Sequence, residues 1–253
     1  MSLTRKHLIL EVNEDSVLNY DYHYELMKRI YEAIELKDKS KALSLHNKGY
    51  EIDNKRFKLF NYNLFCQDAI YSNKGIEIKK DNPIKLIISG YSEVINLILK
   101  GFIIKQKFTL DNIEFKIINI EDDKKIKLNN ISLYKVRTPV VASLYNKSYN
   151  KQIYLNPMQE EFYKALYNNL IKKYKLIYKK DYKGELYFDI ENILSIKKKY
   201  ITNIKTKGFV IGYSDFEIFV QADKEMQNVI YHCGLGEKNS IGMGLVTHIM
   251  SRR

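Results

Sequence analysis

The chain has 253 residues, which suffices for one large domain or two smaller ones that each bury a core. Hydrophobic residues make up 45% of it and proline only 3 residues, a composition that excludes collagen-like, linker-like and disordered classes. Lysine and arginine number 42 against 30 aspartates and glutamates, giving a formal net charge of +12. This excess favours a polyanionic partner, although a lysine-rich chain can also be basic without binding anything.

Cysteine usage and apolar runs indicate the compartment. Cys66 and Cys233 are the two cysteines and form no CxxC pair, so the sequence predicts neither a disulfide framework nor a cysteine-rich zinc site. A reducing cytoplasm is the expected setting. The first ten residues lack the apolar core of a signal peptide, and polar residues interrupt the longest apolar stretch, 94–104. We therefore expect a protein that is neither exported nor membrane-spanning.

Hydrophobic periodicity in the first half predicts the order β-α-β-β-α-β with a small extra helix. Asp21 and Ser40 are the expected N-caps of the first two helices, and Gly49 the residue that ends the second. The order is typical of a ferredoxin-like domain, in which two helices cover one face of an antiparallel sheet. The predicted elements are strands at 7–12, 57–65, 76–80, 84–88 and 113–120, further strand material at Phe108, and helices after Asp21, from Ser40 to about Lys48, and from Ser92 to Lys100.

The second half repeats this order after a charged, turn-prone run at 121–130. Gln159 is placed to complete a capping box at the start of its first helix. The sequence therefore predicts an α+β protein with two tandem ferredoxin-like domains, 1–125 and 126–253, on element order alone, since no residue-level repeat is visible. The predicted elements are strands at 131–136, 186–190, 209–220 and 245–250 and helices beginning at Asn156 and Asp223.

The sharpest local motif is a glycine cluster from Gly234 to Gly244, which reads Gly-Leu-Gly-Glu-Lys-Asn-Ser-Ile-Gly-Met-Gly. It is not a nucleotide-binding P-loop, because Glu237 stands where that motif needs glycine, and it lacks the third glycine of a dinucleotide fingerprint. Its polar centre, Lys238-Asn-Ser240, offers donors to a phosphodiester or a base edge. A helix end followed by a tight turn is the plainer alternative.

Three further side chains have chemistry suited to RNA cleavage. His46, in the last turn of the short helix, can transfer protons near neutral pH, and Lys58 can neutralise charge on a pentacovalent phosphate. Tyr31 lies on or beside an apolar stripe, where packing is the ordinary role. The adjacent carboxylates at 121–123 resemble a solvated turn, so no metal site is expected. The lysine- and tyrosine-rich stretch 172–200 fits an RNA-binding face and a solvated surface equally.

Together these residues resemble the CRISPR repeat-RNA processing endoribonucleases of the RAMP (repeat-associated mysterious protein) superfamily. The matching blocks span nearly the whole chain, and the glycine-rich motif is the most specific of them. One departure is Met243, where members often carry an aromatic residue. The blocks are Arg29-Ile-Tyr-Glu-Ala-Ile34, Ser44-Leu-His46, Phe57-Lys-Leu-Phe-Asn-Tyr-Asn-Leu-Phe65, Asn156-Pro-Met-Gln-Glu-Glu-Phe162 and the terminal glycine-rich motif.

The resemblance implies metal-independent, cofactor-free cleavage of precursor CRISPR RNA within its repeats, leaving 5′-hydroxyl and 2′,3′-cyclic phosphate ends. His46 would act as general acid or base, Tyr31 would assist at the attacking hydroxyl, and Lys58 would stabilise the transition state. The residues that the resemblance assigns to RNA binding are Gly234, Gly236, Lys238, Asn239, Ser240, Gly242 and Gly244.

Two other functions stay open at this point. The first is a repeat-RNA binding subunit of a CRISPR effector complex that cleaves slowly or not at all. The second is an unrelated basic RNA-binding protein with a glycine-rich turn. The sequence leaves the oligomeric state, monomer or homodimer, undecided.

Overall fold

The computed structural model describes residues 2–146, 148, 150–191, 195–203 and 208–252. The first half is built around a five-stranded antiparallel sheet, with two long helices and a short one. Its strands are β1 (Leu3–Val12), β2 (Ser16–Leu18), β3 (Tyr50–Ile52), β4 (Lys55–Phe57), β5 (Phe60–Cys66), β6 (Ile70–Ser72), β7 (Gly75–Ile78), β8 (Ile84–Tyr91), β9 (Lys107–Leu110) and β10 (Ile113–Asp122), and its helices are α1 (Tyr22–Lys37), α2 (Lys39–Asn47) and α3 (Ser92–Lys105).

The strand order of this sheet is β5-β8-β1-β10-β9, and all neighbours are antiparallel. Without the edge strand β9, this is the arrangement of a ferredoxin-like domain. Helices α1 and α3 cover one face, where the apolar residues of alternating strand positions, such as Leu8 and Leu86, are fully buried. A separate small sheet, β2-β7-β6, lies beside it.

The second half repeats the arrangement with a four-stranded sheet of order β14-β17-β11-β18. The α+β class and the tandem ferredoxin-like fold predicted from the sequence are thereby confirmed. The strands are β11 (Ile131–Val136), β12 (Ser143–Asn146), β13 (Lys151–Tyr154), β14 (Tyr187–Glu191), β15 (Lys197–Asn203), β16 (Gly208–Ser214), β17 (Glu217–Gln221) and β18 (Val246–Arg252), and the helices are α4 (Glu160–Tyr178) and α5 (Lys224–Cys233).

Two predicted strands are each divided in the structure. The strand expected at 57–65 becomes β4 and β5, separated at Leu59, whose φ of 55° lies in the left-handed region. The strand expected at 209–220 becomes β16 and β17, separated at Asp215 with φ 63°, and β16 pairs with β15 outside the main sheet. Backbone reversals at non-glycine residues leave no mark in the hydrophobic pattern, so the sequence did not reveal them. The strand expected at 76–80 forms β7 of the small sheet.

Helix boundaries also differ from the predictions. The N-cap of α2 is Asp38, whose carboxylate accepts from Lys41 N at 2.8 Å, and the prediction of Ser40 was wrong. Helix α3 continues through Gly101 to Lys105, because this glycine allows close packing: a Cβ there would lie 1.9 Å from the carbonyl oxygen of Ala33 in α1.

The start of α4 is later than predicted. The helix begins at Glu160, because Asn156 and Gln159 close a turn in which the Asn156 N–H donates to Gln159 Oε1 at 2.7 Å. Asp223 caps α5 as predicted, since its carboxylate accepts from Met226 N at 2.8 Å.

A buried arginine joins the two halves. Arg5 of β1 is 3% exposed, and its guanidinium donates to Ser89 Oγ at 3.1 Å within the first half. It also donates to the carbonyl oxygens of Val246 at 3.0 Å and of Tyr231, and lies 3.7 Å from the centre of the Tyr231 ring. The sheet of one half is therefore bonded to α5 and β18 of the other. Across the described ranges, no helix combines the length and apolar character needed to cross a membrane.

Candidate RNA-processing site

Tyr31 of α1, His46 of α2 and Lys58, which lies between β4 and β5, converge at the C-terminal end of α2. The rings of Tyr31 and His46 meet edge to face, with 5.2 Å between centroids and 82° between planes. Lys58 Nζ donates to the carbonyl oxygen of His46 at 2.6 Å and to that of Leu45. The structure thus brings together the three residues that the resemblance proposes as catalytic.

The local packing orients Tyr31 and His46 differently. Tyr31 borders the buried stripe of α1 and packs against Phe60, 6.1 Å between ring centroids. Burial raises its pKa, so its phenol stays protonated and can donate a hydrogen bond. In α2, buried Leu45 anchors the helix and leaves the His46 ring exposed, with Nδ1 3.0 Å from Asn47 Oδ1. If Nδ1 is the donor, Nε2 is the proton acceptor of the neutral ring.

Lys58 lies at a helix end that favours a cation. The last carbonyl groups of α2 carry the negative end of the helix dipole, and the ammonium group binds two of them. Gly49 makes the approach possible: its φ is 67°, and a Cβ there would lie 2.4 Å from Phe57 O and 3.2 Å from Lys58 Nζ. Burial, and secondarily Arg56, lower the pKa of Lys58.

A basic cleft opens beside Lys58, between the two halves. Its volume is about 320 Å³, and it is bounded by residues 55–60, by α4 and by the glycine-rich loop at 237–240. One carboxylate, Glu237, lines it, and its Oε1 lies 3.9 Å from Lys55 Nζ. A cleft with this excess of positive charge attracts a phosphodiester backbone. Its cationic lining residues are Lys55, Arg56, Lys58, Lys173 and Lys238.

The glycines of the glycine-rich loop, residues 234–244, are buried and shape its backbone. Gly234, Gly236, Gly242 and Gly244 all have positive φ, between 64° and 84°. A Cβ on Gly236 would lie 2.3 Å from the carbonyl oxygen of Val141, and one on Gly244 would lie 1.9 Å from that of Leu235. These positions need glycine for close packing. For the four glycines, direct RNA contact stays a prediction that the structure does not test.

The polar centre of this loop faces the cleft. Lys238 is exposed and Ser240 half-buried, and both line the cleft near residues 55–60. Asn239 also lines it, but its amide nitrogen donates to the carbonyl oxygens of Leu235 and Met243, at 3.1 and 2.9 Å. Met243 itself is fully buried and packs in a small apolar cluster with Val141, Ile201 and Val210.

The structural roles of two residues of this region were not predicted from the sequence. Lys173 is buried in α4, and its ammonium donates to the carbonyl oxygens of Gly234 at 2.8 Å and Gly236 at 3.0 Å, while burial lowers its pKa to about 8. Asn61 of β5 donates to Met243 O at 2.9 Å and so ties the loop to the first half. The sequence did contain a signal for the burial of Lys173, because it lies three residues after Leu170 on the buried stripe of α4.

Three lysines of the lysine- and tyrosine-rich stretch 172–200 form ion pairs with carboxylates. Lys172 pairs with Asp53 at 3.0 Å, Lys175 pairs with Asp181, and Lys180 pairs with Glu225. These lysines neutralise carboxylates of the same chain, which favours the reading of an ordinary surface for this part of the stretch. Among the residues that the structure describes, no cluster of three or more histidines, cysteines or carboxylates is placed to bind a metal.

The protein belongs to the class of tandem ferredoxin-like proteins, because it has two sheets of ferredoxin-like strand order. A basic cleft lies between its two halves. Residues 17–121 match the family described as CRISPR-associated protein Cas6, N-terminal, and residues 121–248 match CRISPR associated protein Cas6, C-terminal. The chain therefore belongs to the CRISPR-associated Cas6 family, which confirms the resemblance drawn from its sequence.

Similar proteins agree with this placement. A Methanocaldococcus jannaschii protein described as CRISPR-associated endoribonuclease Cas6 1 is 29% identical over 252 residues, 97% of this chain and 92% of the relative. A solved structure described as CRISPR associated protein Cas6 shares 26% identity and a TM-score of 0.80, covering 98% of this chain and 100% of that one. A Cas6-related protein from Pyrococcus furiosus, at 20% identity, shares the fold with a TM-score of 0.83 over 99% and 100% of the two chains.

Proposed function

We propose that this protein is an endoribonuclease that cleaves precursor CRISPR RNA within its repeats without a metal ion. The observation that carries the proposal is the convergence of Tyr31, His46 and Lys58 beside a basic cleft. The endoribonuclease description of the Methanocaldococcus jannaschii relative supports it. We assign the chemistry to residues 1–125 and the RNA-binding loop to residues 126–253.

The proposed reaction is an intramolecular transfer of the phosphoryl group from the 5′-oxygen of one nucleotide to the 2′-oxygen of the preceding one. The 2′-oxygen attacks the adjacent phosphorus as the bond from phosphorus to the 5′-oxygen breaks, which gives a 2′,3′-cyclic phosphate and a 5′-hydroxyl. His46 serves as general base or general acid in this exchange of protons. Tyr31, held as a neutral phenol, orients the attacking hydroxyl. Lys58 has a third N–H beyond its two carbonyl contacts, and this donor stabilises the phosphorane charge.

The deciding experiment is single-turnover cleavage of a labelled repeat RNA in excess EDTA. We expect the wild type to cut, and His46→Ala to lose roughly 10²-fold or more in rate, as general acid–base groups do. An RNA with one 2′-deoxy substitution at the cut site should stay intact. His248→Gln, a histidine of β18 outside the cleft, is the matched control. Cleavage that stops in EDTA would contradict the metal-independent mechanism.

The alternative function is a repeat-RNA binding subunit of a CRISPR effector complex that cleaves slowly or not at all. The basic cleft supports it equally, because phosphate binding needs no proton transfer. Tight binding of repeat RNA by the wild type without cutting, under the same conditions, would favour this alternative over the endoribonuclease.

A further inference from the structure

The hairpin formed by β3 and β4 belongs to the first half by sequence but packs into the second. Phe57 and Leu59, 8% and 4% exposed, lie in the same buried cluster as Leu170 of α4. Ion pairs at the rim add to this contact, Lys172 with Asp53 at 3.0 Å among them. The segment that leads from α2 to β5 is therefore fixed by the hydrophobic core of the opposite half.

Lys58 lies between these two apolar residues. Burial of Phe57 and Leu59 in the core of the second half fixes the backbone on both sides of Lys58. From this fixed point the side chain reaches the C-terminal end of α2, where the ammonium binds the carbonyl oxygens of Leu45 and His46.

Leu59 adds a backbone constraint to this anchoring. Its φ of 55° is a conformation that a bulky residue adopts only when its surroundings enforce it. The enforcing contacts are visible: Leu59 O accepts from Tyr91 N at 2.8 Å, and a Cβ on Gly90 would lie 2.2 Å from that same oxygen. The turn at Leu59 separates β4 from β5 and fixes the point at which Lys58 leaves the hairpin.

We infer that Phe57 and Leu59 are positioning residues, which hold Lys58 on the α2 terminus by anchoring it in the core of the second half. The second half thus contributes to the chemistry through a lysine of the first, in addition to binding RNA. This inference rests on the proposed function, in which Lys58 stabilises the transition state.

The test is a double-mutant cycle in single-turnover cleavage at saturating enzyme. Phe57→Ala should lower the rate constant about 10-fold, because small displacements of a catalytic group are costly, while the Kd for repeat RNA changes less than about 2-fold. In a Lys58→Ala background the same substitution should have no further effect, since it acts through Lys58. Phe162→Leu, at a fully buried α4 position of the same core, should leave the rate of folded protein unchanged.

Three outcomes would overturn the inference: an unchanged rate in Phe57→Ala, an equal loss in both backgrounds, or an equal loss in Phe162→Leu. Phe57→Leu, which removes less volume, supplies the same comparison should the alanine variant fail to fold, and thermal melting identifies that failure.

A readout without RNA separates this inference from the proposed function. Reductive methylation followed by mass spectrometry should show Lys58 reacting slowly in the wild type and several-fold faster in Phe57→Leu. Lys55, exposed on the same hairpin, should react equally in both. If the wild type does not cleave, the proposed function fails and the methylation rates still decide the positioning. Unchanged reactivity of Lys58 would overturn it.

Discussion

At the scale of single residues, Lys58 shows how a common side chain acquires a specific role. The chain has 42 lysines and arginines, and nothing in the local sequence distinguishes this one. Its distinction comes from Gly49, which leaves room for an ammonium against the end of α2, and from two apolar neighbours anchored in the other half. His46 then lies beside a fixed cation, because the Lys58 ammonium donates to the carbonyl oxygen of His46 itself.

This geometry predicts that arginine cannot replace Lys58. The guanidinium is larger and planar, and a Cβ on Gly49 would already lie within 3.2 Å of the lysine Nζ, so the space fits a compact ammonium. We expect Lys58→Arg to lose at least about 10-fold in single-turnover rate, and Lys58→Ala roughly 10²-fold. Lys116→Arg, at an exposed position of β10 outside the cleft, is the control and should keep its rate. If Lys58→Arg cleaves at the wild-type rate, the proposed contact is contradicted.

At the scale of secondary-structure elements, α2 is short, and its stability depends on its ends. Two of its residues, Ala42 and Leu45, are buried. Asp38 caps the N-terminus and Lys58 the C-terminus, and His46 lies in the last turn. The helix that carries the proposed acid–base residue thus relies on both caps in addition to the burial of Leu45.

Asp38→Ala should therefore destabilise the protein by about 1 kcal/mol, the usual value of a side-chain N-cap. Its carboxylate accepts from Lys41 N at 2.8 Å, whereas Ser40, two residues further along the chain, makes no such cap contact. Ser40→Ala is the matched control and should lie within about 0.5 kcal/mol of wild type. Urea unfolding of the three proteins measures the difference. Equal destabilisation by both substitutions would show that the cap is not Asp38.

The elements also show which features a sequence reveals. The apolar stripes of α1 and α5 and the alternation in β8 and β17 made the fold predictable, because burial on one face imposes a period. The breaks at Leu59 and Asp215 were hidden, since left-handed turns at non-glycine residues depend on tertiary contacts. The spacing of α4 indicated that Lys173 is buried, but its contact with the glycine-rich loop was hidden, because its partners are main-chain carbonyls distant in sequence.

At the scale of the whole molecule, the site exists only while the two halves keep their relative position. The cleft takes one wall from residues 55–60 and the other from α4 and the glycine-rich loop. Three buried polar side chains cross the boundary or brace the loop: Arg5, Asn61 and Lys173. Each donates to main-chain carbonyl oxygens. Removing Arg5 or Lys173 would take a donor from buried acceptors, whereas Met243 O would keep its bond from Asn239 if Asn61 were removed.

Arg5 is bonded to both halves and gives the sharpest test of this interface. Arg5→Met keeps the apolar stem but leaves the carbonyl oxygens of Val246 and Tyr231 without their donor, and we expect a loss of about 3 kcal/mol. Lys6→Met, at the next position of β1, removes an ion pair with the exposed carboxylate of Asp122 and should cost less than about 1 kcal/mol. Urea unfolding measures both. If the two losses are equal, Arg5 contributes no more to the contact between the halves than an exposed lysine does. If Arg5→Met unfolds in two separate transitions, the arginine is what makes the tandem fold act as one cooperative unit.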